Sequence, residues 1–206
     1  METSITLYGA SGHCKVIIDI LNCNEAIIEK IIDDNPKTKS ILGISILNTK
    51  DFDLNNLKNV ILSIGNNLVR KKIANKLDIS FSTAIHPTAI ISKNVTIESG
   101  TVVMAGAIIN PDTTIKKHCI INTGAIIEHD CLINNYAHIS PGVSLAGNVI
   151  VGEGTHVGIG AIIIQGITIG KWVTIGAGAI IIKDIPDYAV VVGNPGRIIK
   201  YNKENE

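Results

Sequence analysis

An imidazole next to a carboxylate is the pair of side chains in this sequence with the clearest chemical potential. His129 is followed directly by Asp130, two positions after the apolar Ile127. A neighbouring carboxylate fixes the tautomer of an imidazole and raises its basicity, and a general base needs both properties. We therefore expect His129 to accept a proton from a bound nucleophile, with Asp130 as its partner. A surface His-Asp pair without a catalytic role is the alternative.

A glycine-rich turn near the start of the chain offers a different chemistry. The apolar segment Ile5-Thr6-Leu7-Tyr8 runs directly into Gly9-Ala10-Ser11-Gly12-His13, and a helical pattern follows. A strand-turn-helix of this kind presents backbone N–H groups and the positive end of a helix dipole to an anion. We interpret the turn as a phosphate-binding site that includes Gly9, Ser11, Gly12 and His13. Taken alone, the turn has an equally weighted alternative interpretation, which is a purely structural role.

Two further strand ends carry polar residues that strengthen this interpretation. The strand predicted from Ile27 to Ile32 ends in Asp33-Asp34, and the strand Val60-Ile61-Leu62-Ser63-Ile64 leads into Gly65-Asn66-Asn67. Open α/β sheets bind ligands at the carboxyl ends of their parallel strands. The sequence therefore predicts a nucleotide-binding crevice to which Asp33, Asp34, Gly65 and Asn66 contribute.

The candidate residues are distributed over two regions with different organisation. From residue 85 onward every sixth residue is Ile, Val or Leu, and a small or β-branched residue lies four positions after each one. A period of six fits neither an α-helix nor a hairpin ladder, but it fits three short strands per turn of a triangular coil. We predict a parallel β-helix over residues 85–185. Its inward series is Ile85, Ile91, Ile97, Val103, Ile109, Ile115, Ile121, Ile127, Ile133, Ile139, Leu145, Val151, Val157, Ile163, Ile169, Ile175 and Ile181.

Coil stacking decides which candidate residues become neighbours. Gly147 lies eighteen residues after His129, so it should sit one coil away in the same column, roughly 5 Å along the axis. His138 and His156 form a second column by the same spacing, whereas His118 is expected at the plain surface. The bends should favour residues that tolerate positive φ. Examples are Gly100, Gly124, Asn134, Gly142 and Gly154.

Residues 1–84 follow a second plan, in which apolar strands alternate with predicted helices near 13–23 and 66–77. This alternation predicts a small parallel, Rossmann-like α/β sheet.

The four cysteines, Cys14, Cys23, Cys119 and Cys131, lack CxxC spacing, and we expect reduced thiols inside the core. Cys131 in particular falls in the inward register, which argues against a covalent cysteine relay.

Composition excludes several classes of partner. Lys and Arg total 18, as do Asp and Glu, so no cationic face for nucleic acid is expected. Polar residues interrupt every apolar run before it could span a bilayer, and the start of the chain lacks the pattern of a signal peptide. We expect a cytoplasmic protein with a small-molecule partner, no membrane association and no metal in its active site.

Several segments of both regions together resemble one family of enzymes. They are Gly9-Ala10-Ser11-Gly12-His13, Ser63-Ile64-Gly65-Asn66-Asn67, Asn122-Thr123-Gly124, Ile127-Glu128-His129-Asp130, Ala137-His138, Ala146-Gly147-Asn148 and Val192-Gly193-Asn194-Pro195. The chain resembles the bacterial hexapeptide-repeat sugar-nucleotide acetyltransferases, particularly N-acetyltransferases of UDP-linked 4-amino-4,6-dideoxy sugars and the related sialic-acid O-acetyltransferases. The resemblance covers nearly the whole chain. It implies a left-handed β-helix, a homotrimer, acetyl-CoA as cosubstrate and a role in O-antigen, lipopolysaccharide or glycoprotein biosynthesis.

The resemblance also implies roles for individual residues. His129 becomes the general base, although many relatives carry glutamate at the position of its partner Asp130. The amide of Gly147 would hold the thioester carbonyl, His138 would lie at the acetyl group, and Asn122 would lie near the acceptor. Residues 186–206 resemble a tail that closes over coenzyme A. The remaining candidates for acetyl-CoA binding are His156, Lys183 and Arg197.

Other functions stay open at the level of sequence. The acceptor is a UDP-, dTDP- or GDP-linked amino sugar, or a sialic-acid hydroxyl in the O-acetyltransferase alternative. A zinc carbonic-anhydrase-like enzyme would need three histidine ligands that converge across a trimer face, and it would have no use for a nucleotide domain. A noncatalytic protein that binds a nucleotide sugar is the third alternative.

Overall fold

The computed structural model describes residues 4–51 and 53–202. Its first part is a five-stranded sheet of order β3-β4-β2-β1-β5, parallel except for the antiparallel pair of β3 and β4. The strands are β1 (Ser4–Tyr8), β2 (Ile27–Asp33), β3 (Ser40–Ile41), β4 (Ile44–Asn48) and β5 (Val60–Leu62). The helices are α1 (Gly12–Cys23) and α2 (Asn67–Lys76), with 3-10 turns at Thr49–Asp51 and Leu54–Asn56.

The two helices bury different kinds of surface. Helix α1 turns Cys14, Ile17, Ile18 and Leu21 into an apolar core, as expected of an amphipathic helix against a sheet. Helix α2 begins at an N-cap whose side chain, Asn66 Oδ1, accepts a hydrogen bond from the backbone N–H of Val69. Its buried residues are Asn67, Arg70 and Ala74, so this helix packs largely through polar groups.

The second part is a left-handed parallel β-helix of two-residue strands, as the repeat predicts. Each strand pairs with the strand eighteen residues away, for example Ile108 with Ile126 and His138 with His156. The strands are β6 (Ala84–Ile85), β7 (Ile90–Ile91), β8 (Thr96–Ile97), β9 (Val102–Val103), β10 (Ile108–Ile109), β11 (Thr114–Ile115), β12 (Ile120–Ile121), β13 (Ile126–Ile127), β14 (Leu132–Ile133), β15 (His138–Ile139), β16 (Ser144–Leu145), β17 (Ile150–Val151), β18 (His156–Val157), β19 (Ile162–Ile163), β20 (Thr168–Ile169), β21 (Thr174–Ile175) and β22 (Ile180–Ile181).

The inward aliphatic series fills the interior of this prism. From Val103 to Ile181 every member of the series is buried, whereas Ile85, Ile91 and Ile97 in the first coil are half-buried against the same core. Each buried side chain of this size contributes about 1.5–3 kcal/mol relative to an exposed one. The regular ladder therefore supplies the rigid frame on which the outward-facing residues stand.

The corners of the prism correct one detail of the sequence interpretation. Every sixth residue from Gly100 to Gly178 has positive φ, and this set includes Tyr136 and Trp172 but not Asn134. Asn134 instead donates from its side-chain amide to the carbonyl oxygen of Val151. The position of a residue in the coil sets this bend conformation, so aromatic residues also adopt it where their rings contact other side chains.

Two final strands continue one face of the prism. Strand β23 (Ala189–Val192) pairs in parallel with β21, and β24 (Arg197–Tyr201) returns antiparallel to β23. They complete an eight-stranded sheet that also contains β6, β9, β12, β15 and β18. The last four residues of the predicted tail, 203–206, lie outside the described residues. Within the described chain, no helix is long and apolar enough to cross a membrane.

Candidate active site

The His129–Asp130 pair lies on the corner between β13 and β14. His129 Nδ1 is 2.8 Å from Asp130 Oδ2, and the two side chains are 60% and 59% exposed. The hydrogen bond to Asp130 is the main cause that raises the pKa of His129, and the charges of Asp130 and Glu128 act in the same direction. Because Asp130 occupies Nδ1, Nε2 is the ring nitrogen left for a reactant.

Gly147 lies directly under this imidazole, as the eighteen-residue spacing predicts. A Cβ atom at Gly147 would be 2.6 Å from Cε1 and 2.8 Å from Nε2 of His129, so only glycine fits there without moving the ring. The backbone N–H of Gly147 makes no hydrogen bond within the described residues. His129 Nε2 and an unused backbone donor thus stand beside each other on one corner.

A second group of candidates lines a cavity of about 480 Å³ between the two parts of the chain. Its N-terminal wall is the segment that begins α2, and its other wall is the sheet that contains β15 and β18. The lining residues are Gly65, Asn66, Asn67, His138, Gly154, His156, Trp172, Val173, Thr174 and Asn202.

His138 is held in one tautomer at this cavity. The backbone N–H of Thr123 donates to Asn122 Oδ1 over 2.8 Å, which leaves Asn122 Nδ2 to donate to His138 Nε2 over 3.0 Å. The ring proton is therefore on Nδ1, and the ring also makes a hydrogen bond to the backbone of Gly65. Burial lowers the pKa of His138 to about 3, with smaller contributions from the charges of His156 and Arg70.

Two other imidazoles accompany His138 and are also held neutral. The ring of His156 stacks on that of His138 with centroids 4.8 Å apart, and its Nε2 lies 2.9 Å from Ser140 Oγ. Burial lowers the pKa of His156, and it lowers the pKa of His13 to about 4. His13 Nε2 is buried without a hydrogen-bond partner.

The predicted nucleotide crevice is a separate cavity of about 290 Å³. Gly9 has a φ of 113°, and a Cβ there would be 2.6 Å from Ile64 Cγ1, so this turn requires glycine. Gly12 has open space around it and borders a neighbouring cavity of about 370 Å³. The residues that line the crevice are Tyr8, Gly9, Ala10, Ser11, Asp33, Asp34, Asn35, Ile64, Val69 and Ile73.

Both aspartates of the crevice already make hydrogen bonds within the protein. Asp33 accepts from the backbone N–H groups of Ala10 and Asn35, each over 2.8 Å, and so it fixes the glycine turn. Asp34 Oδ1 accepts from the hydroxyls of Tyr8, at 2.6 Å, and of Thr49, at 2.7 Å. Ligand contacts would use their remaining acceptor capacity.

Comparison with known proteins identifies the family of this arrangement. Residues 4–77 match the family model of the PglD N-terminal domain. A mutant of perosamine N-acetyltransferase from Caulobacter crescentus, in complex with CoA and GDP-perosamine, has 34% identity and a TM-score of 0.90 over 97% of this chain and 98% of its own. The acetyltransferase domain of PglB from Neisseria gonorrhoeae, in complex with acetyl coenzyme A, has 34% identity and a TM-score of 0.89, covering 97% and 100%.

A relative among the curated proteins agrees with these structures. UDP-N-acetylbacillosamine N-acetyltransferase of Bacillus subtilis is 42% identical over 107 residues, which are 47% of this chain and 49% of the relative. The chain thus matches about half the length of that protein. The chain belongs to the acetyl-CoA-dependent sugar N-acetyltransferases.

Arg70 joins the two parts of this sugar N-acetyltransferase, and its role was not predicted from the sequence. The guanidinium of Arg70 is buried and donates to the carbonyl oxygens of Ile64, Gly65, His118 and Tyr136. Burial lowers the pKa of Arg70 to about 10. A polar residue at an inward position of α2 is the only sequence signal that would have drawn attention to it.

His118 was expected at the plain surface of the acetyltransferase, and that expectation is wrong. It is 4% exposed because its ring stacks on Tyr136, with centroids 5.3 Å apart, and meets the edge of Phe81 at 4.6 Å.

The expectation that all four cysteines lie in the core is also wrong. Cys14, Cys119 and Cys131 are buried, whereas Cys23 is exposed at the end of α1.

The two cations predicted for coenzyme A phosphates come together at the last coil of the acetyltransferase. Lys183 and Arg197 are both exposed and border one cavity of about 420 Å³. Their neighbours there include Asp184 and Gly196, whose carbonyl oxygen accepts a hydrogen bond from Arg197 Nη1 over 3.0 Å.

The candidate residues of the acetyltransferase therefore form separate groups on one chain. His129, Asp130 and Gly147 occupy one corner of the prism, and they line neither the cavity of His138 nor the nucleotide crevice. On another face of the prism, His138 and His156 lie across a cavity from Gly65 and Asn66 of the N-terminal part.

Proposed function

We propose that this protein transfers the acetyl group of acetyl-CoA to the 4-amino group of a nucleotide-linked 4-amino-4,6-dideoxy sugar. The observation that carries the proposal is the geometry of His129, whose Nδ1 is bound by Asp130 and whose ring packs against Gly147, a residue with an unused backbone N–H. A base and an oxyanion donor a few ångströms apart are what acyl transfer to an amine requires.

The reaction needs no covalent enzyme intermediate. The amine nitrogen attacks the thioester carbonyl carbon while His129 Nε2 takes the amine proton, and the Gly147 N–H stabilises the negative oxygen. The C–S bond then breaks, and the coenzyme A thiolate leaves and receives the proton from His129. Cys131, the cysteine nearest in sequence, is buried, and burial raises the pKa of its thiol, which suits it for packing and not for nucleophilic attack.

The N-terminal crevice supplies the nucleotide site in this proposal. Gly9, Ser11, Gly12 and His13 form the turn for the diphosphate, and Asp33 and Asp34 border the space for ribose and base. The complex of the Caulobacter relative contains GDP-perosamine, and the Bacillus relative is named for a UDP-linked sugar. UDP, dTDP and GDP therefore all remain in the set of carriers to be tested.

A homotrimer would complete the active site. His129 is exposed on its corner, and the acceptor cavity with His138 lies on another face, so a neighbouring chain is the simplest source of the missing half. Exposed isoleucines such as Ile162 would be covered in the same association, while Ile126 and Ile180 are already half-buried. Acetyl-CoA would lie between two prisms, with Lys183 and Arg197 near its phosphates.

The other site residues would orient the two substrates. The imidazoles of His138 and His156 are neutral, so they would line the acetyl site without placing a charge there. Asn122 would hold His138 and the acceptor amine in line. Because acetyl-CoA is a cytoplasmic metabolite, the proposal places the enzyme in the cytoplasm, where its product would serve surface-glycan or glycoprotein synthesis.

A direct turnover assay tests this proposal. The protein is offered acetyl-CoA with UDP-, dTDP- and GDP-linked 4-amino-4,6-dideoxy sugars, with the matching 4-hydroxy sugars and sialic acid as controls. We expect release of free coenzyme A and an N-acetylated product with at least one amino sugar, and no release with the hydroxyl controls. Release with sialic acid alone would establish O-acetylation instead, and no release with any acceptor would leave a noncatalytic binding protein.

A further inference from the structure

Three side chains with metal-binding atoms converge far from the acetyl-transfer residues. Among the described residues, the group of His, Cys, Asp or Glu side chains whose ligand atoms all lie within 4.8 Å of one another is Asp19, Cys23 and His86. Asp19 and Cys23 are exposed on α1, and His86 is 9% exposed just after β6. The group therefore bridges the N-terminal part and the first coil of the prism.

The backbone holds these residues in place before any ligand arrives. Asp19 and Cys23 are four residues apart on one helix, which puts both side chains on the same face. The side-chain amide of Asn24 donates to Ile20 O over 3.0 Å and to Ile85 O over 2.8 Å, so the end of α1 is tied to β6. The position of His86 is fixed by a hydrogen bond from its N–H to Val103 O over 2.9 Å.

The imidazole of His86 has one ring nitrogen available. The backbone N–H of Thr88 donates to His86 Nδ1 over 3.1 Å, and Thr88 Oγ1 lies 2.8 Å from the same atom, so the ring proton is on Nε2 and Nε2 is the atom left for the cluster. Histidines that bind metals donate from the second ring nitrogen to a partner that orients the ring, and for His86 that partner would be Thr88 Oγ1. Thr88 Oγ1 itself accepts from Gly106 N over 3.2 Å, which anchors it to the next coil.

The donor set selects one class of ion. Magnesium and calcium prefer ligand sets made only of oxygen, whereas thiolate with imidazole and carboxylate suits zinc and the similar ions cobalt and nickel. Tetrahedral zinc with bond lengths of about 2.0–2.3 Å places its donors about 3.3–3.8 Å apart. The ligand atoms of the three side chains all lie within 4.8 Å of one another, and rotation of the exposed Asp19 and Cys23 side chains would bring them to that spacing.

We propose that Asp19, Cys23 and His86 bind one zinc-class divalent ion per chain, with solvent at the fourth position. Binding converts the Cys23 thiol to a thiolate and releases one proton to water. The imidazole proton moves from Nε2 to Nδ1, where it is donated to Thr88 Oγ1, and this bond replaces the one that Nδ1 accepted from the Thr88 N–H. The ion is a clamp between α1 and the first coil, and it takes no part in acetyl transfer.

The test begins with the unmodified protein, because Cys23 is the exposed thiol and the other three are buried. A disulfide reagent that reports on exposed thiols should label Cys23 quickly in metal-free protein and at least tenfold more slowly with zinc. Titration with cobalt should give a thiolate-to-cobalt charge-transfer band that saturates at one ion per chain. Equal labelling rates with and without zinc, or no such band, would overturn the site.

Variants then locate the ion. Cys23→Ser should abolish the cobalt band, and His86→Gln should remove the zinc protection of Cys23 while the circular dichroism stays unchanged. Thr88→Val, which removes the second hydrogen bond of the ring, should weaken zinc binding about tenfold. Cys14→Ala is the matched control on the same helix and should leave the band intact. A band that survives Cys23→Ser, or vanishes only in Cys14→Ala, would place the ion elsewhere.

Discussion

At the scale of the residue, the imidazoles differ in which protonation state the protein favours. The hydrogen bond that His129 donates to Asp130 raises the pKa of His129, whereas burial lowers the pKa of His138 to about 3 and that of His13 to about 4. His138 and His13 therefore stay uncharged over the working pH range, and their titration does not lower the activity near neutral pH. Among the histidines of the proposed site, His129 is the one whose pKa is raised from its ordinary value, toward neutral pH.

Replacement of His129 with alanine tests its role as general base. We expect kcat to fall by about 10²–10⁴, with a much smaller change in KM for acetyl-CoA, because general-base catalysis acts on the transition state. In the unmodified enzyme activity should rise with pH as His129 loses its proton, above the usual histidine pKa. Steady-state rates between acidic and mildly alkaline pH would measure both effects.

The control for this experiment is Asp130→Asn. It removes the charge that raises the pKa of His129, so the acid limb should move to lower pH while the limb due to the substrate ammonium stays where it is. If His129→Ala kept near-normal kcat and the same pH profile, with both substrates bound normally, another group would be the base.

Sequence reasoning at this scale succeeded where partners are related by the coil period. The contact of His129 with Gly147 and the stacking of His138 on His156 both follow from a spacing of eighteen residues. It failed for His118, whose ring stacks on Tyr136 eighteen residues away but is also covered by Phe81 from outside the repeat. A contact between segments that share no period leaves no signal in the spacing of residues.

At the scale of the element, the corners of the prism depend on a repeated left-handed backbone conformation. Gly106 has a φ of 66° and nothing within 4 Å of the place a Cβ would take, so its only constraint is the backbone. Glycine adopts this conformation at no steric cost, whereas other residues with a Cβ pay roughly 1–2 kcal/mol, and asparagine pays less.

Substitution of Gly106 therefore isolates the conformational cost of one corner. We expect Gly106→Ala to lower the free energy of unfolding by about 1 kcal/mol and Gly106→Asn to lower it by less. Urea unfolding at one fixed protein concentration, followed by circular dichroism, measures the difference. Equal stability of the alanine variant and the unmodified protein would show that this corner relaxes to another conformation.

The elements themselves were predictable to different degrees. All strands of the prism appear where the repeat placed them, because period six allows no other regular structure over such a length. The short antiparallel β3–β4 hairpin was missed, since two-residue strands around Leu42 and Gly43 carry no periodic pattern. The positive φ of Tyr136 and Trp172 was missed because residue preference alone assigns such bends to glycine, asparagine and aspartate.

At the scale of the whole molecule, the interface between the two parts contains neutral buried histidines. His118 and His13 have pKa values of about 4 in the folded chain, well below the ordinary value of 6.5. Below pH 6.5 the unfolded chain binds protons that the folded chain does not, so stability is complete above that pH. It decreases as pH falls toward 4, by up to about 1.4 kcal/mol per pH unit for each histidine.

We therefore expect the free energy of unfolding to be level between pH 7 and 8 and to fall steeply below pH 6. His118→Phe keeps a ring between Phe81 and Tyr136 but removes one titrating group, so it should reduce that slope. Urea unfolding at a series of pH values and constant protein concentration measures both slopes. An unchanged slope in the variant would mean that His118 is already protonated in the folded protein.

The assembly itself provides the last prediction. Suppose that His129 of one chain acts on a substrate held in the His138 cavity of its neighbour. His129→Ala and His138→Leu then each inactivate a homotrimer, because each removes a different half of the same site. Mixed trimers refolded from equal amounts of the two variants will contain sites that combine an intact His129 with an intact His138.

Random assembly makes about one quarter of all sites intact, because each half of a site has an even chance of coming from the suitable chain. We expect kcat per chain to recover to about a quarter of the unmodified value after mixing, while each variant alone stays inactive at the same concentration. Tagged chains and light scattering would confirm that mixed trimers form. Mixed trimers without recovered activity would mean that His129 and His138 act in one chain, and the shared site would have to be abandoned.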